Sequence, residues 1–367
     1  MPFKTWVEIS KGALTHNLRF FRKLVGEETK VLCVLKANAY GHGLKEVAEI
    51  LNKERDADWF GVDNLEEALL IKKLGVAKPI LVLGYTRLSN LKETTLNGIS
   101  FVISNKETLE KIVSLKLNKA ARVHLKIETG LNRQGTRRID VLKILSFIKK
   151  HKKYIYLEGV YTHFADFEDA PFVYKQLVEF KNTVRLVKEN GFKRFIVHSA
   201  ATGATILCPN ARFDMVRIGI GLYGLSPSLK PLNKELRAVA SWKSVVAQVK
   251  EAGKDESVGY GRTWFAKKKT RIAVIPIGYS DGFDRHFSNK GKILVKGRFA
   301  SVLGRVMMNM IVVDVDGIKN LNPEEEAILI GRSGQNKITA EDLAESLGTI
   351  SYEVVSRINP LLPRVVV

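Results

Sequence analysis

Short apolar runs alternate with helical repeats along the first two thirds of the chain. The runs VLCVLK (31–36), WFGV (59–62), PILVLGY (79–85), ISFVIS (99–104), RVHLKIE (122–128), YLEGVYTHFA (156–165), RFIVHSA (194–200) and DMVRIGIGLYG (214–224) read as strands. Each of the first seven leads into a helical pattern, such as LKEVAEILNK after the first and FVYKQLVEFKNTVRLVKEN after the sixth. Parallel strands covered on both faces read as near-continuous apolar runs. Eight strand–helix alternations over roughly 200 residues predict an α/β fold, a parallel (β/α)8 barrel of TIM type, rather than an open doubly wound sheet. No GxGxxG follows the first run, which weakens a dinucleotide-binding alternative.

The texture changes after the proline-bearing stretch LSPSLKPLN (225–233). The segments VASWKSVVAQVKEA, RIAVIPIGYS, KILVKG, SVLGRV, MIVVDV and AILIG read as short strands joined by glycine turns. One helix interrupts them, TAEDLAESLG, with Thr339 as N-cap, acids in its first turn and Gly348 as its stop. The expected organisation is therefore a barrel over 1–234 and a mainly β domain over 235–367. The strand-like WVEIS near the N-terminus is available to pack with the second domain.

Composition narrows the function classes. A chain of 367 residues at 45% hydrophobic content can bury a sizeable core. No apolar stretch approaches ~20 residues, and MPFKTWVEISKGAL has no apolar leader region, so neither a membrane span nor a secretory signal is expected. The two cysteines, Cys33 and Cys208, have no CxxC neighbours. That argues against a zinc site, any other metal centre or a disulfide framework, and it fits a reducing cytoplasm. The formal charge of +21 comes from 59 Lys+Arg against 38 Asp+Glu. These cations are spread along the chain, with short clusters at 149–153 and 267–269 and no aromatic RNA-binding motif, so a solvated basic surface is expected rather than a specific nucleic-acid partner.

In such a barrel the chemistry lies at the C-terminal ends of the strands. The first run ends in Lys36, followed by Tyr40. The fifth offers Lys126, Glu128 and, in the next loop, Arg133. The sixth offers His163, the seventh His198, Ser199 and Thr202, and the eighth Arg217. The small residues of SAATG and RIGIG would let backbone N–H groups approach an anion. A phosphate there, with a lysine on the first strand, suggests pyridoxal phosphate held by a Schiff base. His163 could then stack on the ring and Arg217 reach its nitrogen. Each residue alone also fits a plainer role: a solvated strand-end lysine, a core histidine, an Arg217–Asp214 ion pair, ordinary turn glycines. The combination is the signal.

The stretch VLKANAYGHG (34–43) resembles the cofactor-attachment signature of the alanine racemase family. The likeness continues in order through HLKIETGLNRQG (124–135), YTHFA (161–165), VRIGIGLYG (216–224), VGYGRTW (258–264), IPIGYSDGFDR (275–285), GRVMMNM (304–310) and ISYEVV (350–355). The resemblance implies a pyridoxal-phosphate racemase acting on alanine, working as a homodimer in which the β domain of one chain completes the site of the other. It implies Lys36 as cofactor anchor and as the base for D-alanine, and Tyr260, from the partner chain, as the opposite-face base for L-alanine. Arg133 and the backbone of Met308 would bind the substrate carboxylate. Tyr40, Ser199, Thr202, Gly219, Ile220 and Tyr352 would surround the phosphate. His163 would lie near the ring, Arg217 would face its nitrogen, and Tyr279 would line the entrance. Lys126 matches a lysine that some members carbamylate; a Lys126–Glu128 pair is the alternative.

Three positions depart from the resemblance. Met307 and Asn309 stand where the family often has cysteine and aspartate, and Ile218 stands where proline is usual. The rival functions are a broader amino-acid racemase on the same scaffold, a decarboxylase of the same architecture and a non-catalytic cofactor carrier. VGYGR argues against the decarboxylase, and the residues after the barrel argue against the carrier.

Overall fold

The computed structural model describes residues 3–228 and 233–367, so part of the proline-bearing stretch lies outside the described residues. The chain divides into two compact units. The first in sequence order to fill out is the barrel unit, Thr15–Ala39 with Val47–Leu222. The other is the β unit, which gathers the N-terminal residues to Leu14, Tyr40–Glu46 and everything from Tyr223 onward. A single cut near residue 235 would assign the first two of those three segments to the barrel.

The strands in chain order begin with β1 (Thr5–Ile9), which belongs to the β unit. The barrel follows: β2 (Lys30–Val34), β3 (Trp59–Val62), β4 (Ile80–Val82), β5 (Ser100–Ile103), β6 (Ala121–Lys126), β7 (Ile155–Tyr161), β8 (Ile196–Ala201) and β9 (Met215–Ile218). These eight form a closed parallel barrel, sealed by β2 pairing with β9 from Lys30↔Met215 to Cys33↔Ile218. The α/β barrel expected from the alternation is the fold observed. Three of its helices start where short polar side chains take up orphan N–H groups. Asn64 Oδ1 accepts from Glu67 N at 2.9 Å, Asn105 Oδ1 from Thr108 N at 3.0 Å, and Asp169 Oδ1 from Phe172 N at 3.0 Å.

Two bulges matter for the site. Between β6 and β7, Val123 pairs with Leu157 but His124 pairs with Gly159, so Glu158 is an extra residue on β7. Between β8 and β9, His198 pairs with Met215 while Ala201 pairs with Arg217, so β8 also carries an extra residue. A bulge re-aims the side chains on either side of it.

The β unit is one sheet. Its later strands are β10 (Ala240–Val245), β11 (Gln248–Ala252), β12 (Thr270–Ile275), β13 (Lys292–Val295), β14 (Arg298–Leu303), β15 (Ile311–Asp314), β16 (Glu326–Ser333), β17 (Asn336–Ile338) and β18 (Arg364–Val366). The order is β11-β12-β15-β14-β13-β16-β10-β1-β18, with β17 on β16. The strand-like N-terminal segment thus lies in this sheet, antiparallel to β10 and parallel to β18. The helix read from TAEDLAESLG is Ala340–Leu347, with a reciprocal cap between Thr339 and Asp342 and Gly348 at φ 68° as its stop. A second helix, Ser351–Ser356, follows it and carries Tyr352. Six residues are too few to show a helical period in sequence, which is why only the first was expected.

Candidate active site

The first apolar run does not end as a strand in Lys36. β2 stops at Val34, and the chain then enters a left-handed helical turn. Ala37, Asn38 and Ala39 have φ of 54°, 54° and 53°, and Tyr40 has φ of 54°. For L-residues this conformation costs roughly 1–2 kcal/mol each, so the surroundings must hold it. Ala39 N donates to Leu35 O at 2.8 Å and Asn38 N to Glu67 Oε1 at 3.3 Å. On the β-unit side, Arg364 Nη2 donates to Gly41 O at 2.8 Å. Gly41, at φ 81°, lies so close to the Val355 carbonyl that a Cβ there would stand 1.9 Å from its oxygen. The His42 ring lies 4.4 Å from that of Tyr223, and its Nδ1 is 3.0 Å from Tyr40 O. Lys36 is partly buried, at the start of this held turn.

In the barrel unit, Arg217 is 3% exposed. Its Nη1 donates to His198 Nδ1 at 2.9 Å; its Nη2 lies 3.0 Å from both Thr162 O and His163 Nδ1 and 2.9 Å from Ser199 O. The Arg217–Asp214 ion pair considered from sequence is not formed: Asp214 Oδ2 accepts from Val197 N at 2.8 Å, and no carboxylate pairs with Arg217 among the described residues. Burial, with Arg133 adding to it, pulls the Arg217 pKa down to about 10. Burial, then Arg217 and Arg133, holds His163 well below the ordinary histidine value, which favours the neutral ring. Tyr161 stacks on His198 at 4.7 Å with the rings nearly parallel, and the guanidinium sits 5.1 Å from the Tyr161 ring centre. Sequence reasoning passed over Tyr161 because nothing local marks it apart from a core aromatic.

Lys126 is 4% exposed, with Nζ 5.7 Å from the Tyr161 ring centre. Burial, then Arg133, Arg217 and Lys36, pushes its pKa down to about 8 against the opposing pull of Glu128. The alternative Lys126–Glu128 pair is absent among the described residues. The Glu128 carboxylate instead accepts from Gly130 N at 2.6 Å. Burial pulls the Glu128 pKa up, but the backbone N–H groups of Asn132, Gly130, Arg133 and Leu131 outweigh it and lower the value. Arg133 stands exposed on that loop.

The SAATG and RIGIG segments meet at Thr202. Thr202 begins the short helix Thr202–Leu207, which has no side-chain cap. Its Oγ1 accepts from Gly219 N at 3.2 Å and from Gly221 N at 3.4 Å, which uses both lone pairs and leaves its O–H to donate elsewhere. A Cβ on Gly221 would stand 2.5 Å from Thr202 Cγ2 and 2.8 Å from Phe21, so only glycine fits. The Ser199 hydroxyl already donates to Ala211 O at 2.6 Å, and Ile220 is buried at the start of the next turn. Leftover donors, tight glycines and the guanidinium groups of Arg133 and Arg217 suit a phosphate-bearing group, with an aldehyde for the Lys36 amine.

The β unit holds the other sequence-predicted residues. Tyr40 and Tyr352 lie with ring centres 5.9 Å apart, and burial keeps both phenols protonated as donors. Tyr260 is 72% exposed on a turn with Gly259 and Gly261 at φ 76° and 72°. Tyr279 and Met308 are also exposed. Tyr279 N donates to Met307 O, and Ser280 N to Met308 O, both at 3.0 Å. Asn309 Nδ2 donates to Ser280 Oγ at 2.6 Å, a role that the aspartate usual in the family could not fill. Ile218 pairs with Cys33 in the β2–β9 ladder that closes the barrel.

Sequence models of the alanine racemase N-terminal and C-terminal domains match residues 9–227 and 239–366. The alanine racemase of Leptospira interrogans serogroup Icterohaemorrhagiae is 37% identical over 379 residues, covering 100% of this chain and 96% of that protein. The structure of an alanine racemase from Clostridium difficile 630 superposes with a TM-score of 0.94 at 35% identity, over 100% of this chain and 96% of that one. That of the Bacillus anthracis alanine racemase with bound L-Ala-P gives 0.93 at 31% identity, with the same coverage. With both domains matched in order along the whole length, the chain belongs to the alanine racemase family, isomerases that depend on pyridoxal phosphate and racemise alanine.

Proposed function

We propose that this chain binds pyridoxal phosphate and interconverts L- and D-alanine with two bases, Lys36 and Tyr260 of the partner subunit, in a homodimer with shared sites. The observation that carries the reading is the opposite presentation of these two groups: Lys36 on a turn held within its surroundings, Tyr260 displayed outward from the β unit.

When bound, pyridoxal phosphate supplies the electron sink that makes the α-proton of alanine removable. Lys36 would hold it covalently and exchange a proton on one face of the substrate Cα. Tyr260 of the partner subunit would exchange a proton on the other face, so the substrate need not turn over. Arg217 would face the pyridine nitrogen. Because a guanidinium keeps its proton, it disfavours protonation of that nitrogen. His163 would lie beside the ring. The Thr202 O–H, the N–H groups of Gly219 and Ile220, the Ser199 hydroxyl after rotation and the phenols of Tyr40 and Tyr352 would receive the phosphate. Arg133 and the Met308 N–H would orient the alanine carboxylate, with Tyr279 at the entrance.

Lys126 would be carbamylated. A buried cation among arginines is unfavourable, and conversion to an anion would orient Arg133. The two free thiols fit a reducing cytoplasm, where the D-alanine would supply peptidoglycan synthesis.

The test is a visible spectrum of the protein given pyridoxal phosphate, followed by borohydride reduction and peptide mapping. A chromophore fixed onto the Lys36 peptide supports the reading. A protein that stays colourless sinks it.

A further inference from the structure

The barrel interior holds a line of polar side chains that the proposed reaction does not use. His198 and His124 are fully buried, and Glu158 is 4% exposed. His198 Nε2 lies 2.9 Å from His124 Nδ1. His124 Nε2 makes no hydrogen bond among the described residues, and Glu158 Oε2 is the carboxylate oxygen facing it, at 3.5 Å. The contact from β8 to β6 skips over β7, and Trp59 of β3 also meets the His124 ring, at 5.8 Å. The imidazoles therefore lie in the barrel lumen. Backbone features make room for them. A Cβ on Gly159 would stand 2.2 Å from His124 Nδ1, and Glu158 is the bulged residue just before that glycine.

We infer that His198, His124 and Glu158 form a directed hydrogen-bond chain that positions the Arg217 guanidinium, with Glu158 as its terminal acceptor. The direction follows from donor chemistry. A guanidinium only donates, so His198 Nδ1 must accept from Arg217 and its proton must sit on Nε2. That proton is given to His124 Nδ1, which places the His124 proton on Nε2, facing Glu158. The Glu158 carboxylate is the acceptor facing that N–H, 3.5 Å away, and it also takes the Ser100 hydroxyl and Arg122, whose Nε lies 2.8 Å from Oε1. Burial holds both histidines below their ordinary value, consistent with neutral rings. Glu158 is pulled down to about 2, its burial outweighed by His124, Arg122 and Ser100, so it is ionised. Hydrogen bonds aligned in one sense polarise one another. Arg217, with no carboxylate partner among the described residues, is thereby joined to a buried anion through two imidazoles. These three are positioning residues, since none touches the proposed substrate or cofactor. What Arg217 is positioned for rests on the racemase reading; the chain itself does not.

The test is long-range 15N–1H correlation on the cofactor-free protein labelled at histidine, which reads each imidazole tautomer. The wild type is expected to show His198 and His124 both protonated at Nε2. E158Q keeps an acceptor oxygen and should keep both tautomers. E158M removes the acceptor and should move His124 toward its Nδ1–H form and His198 into a mixture, a change in tautomer ratio of about tenfold or more. In the loaded enzyme, E158M should lower kcat about tenfold with KM little changed, and E158Q should recover most of that loss. An Nδ1–H form of His198 in the wild type, or unchanged tautomers in a folded E158M, overturns the proposal. Should E158M fail to fold, H124F serves instead, and a His198 tautomer indifferent to it likewise overturns the proposal. Correct tautomers in a protein without racemase activity would leave the chain standing and refute the functional reading.

Discussion

Lys36 and Tyr260 would carry the same kind of proton transfer, yet the molecule holds them in opposite ways. Lys36 opens a turn of four left-handed residues, held by backbone bonds from Asn38 and Ala39. Tyr260 stands 72% exposed between two glycines with positive φ. A strained backbone persists only where its surroundings over-determine it. Among the described residues, this exposed aromatic on a glycine-flanked turn has no such surroundings in its own unit. On the proposed reading, the difference is that Lys36 is positioned by its own chain, whereas Tyr260 would need a second surface to act as a base.

The largest effect expected is from K36A, which on the proposed reading would remove both the anchor and one base. Racemisation should fall by at least about 10³-fold, and borohydride should fix no chromophore onto the chain; retained labelling would move the anchor elsewhere. Y260F comes next. It should lower racemisation roughly 10²-fold or more and fall harder on α-proton exchange from L-alanine than from D-alanine, measured by deuterium washout. Equal losses from the two enantiomers would dissolve the contrast.

Lys126 sharpens the electrostatic side of the comparison. With a pKa near 8, about a tenth of its amine is neutral at pH 7, against less than about one part in a thousand for an ordinary lysine. Carbamate formation needs the neutral amine. The sign is that the carbamate should grow as pH rises from 6 through 8. Protein equilibrated with 13C-bicarbonate should show a carbamate resonance that K126R abolishes, along with several-fold of kcat/KM. The smallest effect is expected from N309D. The donor to Ser280 is lost, the Met308 loop loosens, and KM for alanine should rise about threefold, in line with one ordinary hydrogen bond.

Much of the fold was legible because burial on both faces leaves a plain mark. Apolar runs such as WFGV and ISFVIS became β3 and β5 nearly to the residue. The candidate mouth residues come from the barrel rule that strand ends carry chemistry, together with the family resemblance. The left-handed turn was not legible. Ala-Asn-Ala-Tyr has no glycine to announce positive φ, and contacts distant in sequence impose it. The His198–His124–Glu158 chain was hidden for a related reason. It depends on two bulges and on Gly159, and register shifts leave no periodic signal. Tyr40 and His42 were read as part of the barrel because they follow its first strand, yet they group with the β unit through Tyr223 and Tyr352.

The most direct test of the central claim mixes the K36A and Y260F proteins under conditions that let subunits exchange. If each site joins Lys36 of one subunit to Tyr260 of the other, a mixed dimer contains one intact site. Equal mixing should then restore racemase activity to about one quarter of the wild type. If both bases of a site belong to one chain, every site in every dimer lacks a base, and a mixture as inactive as its components would contradict the account.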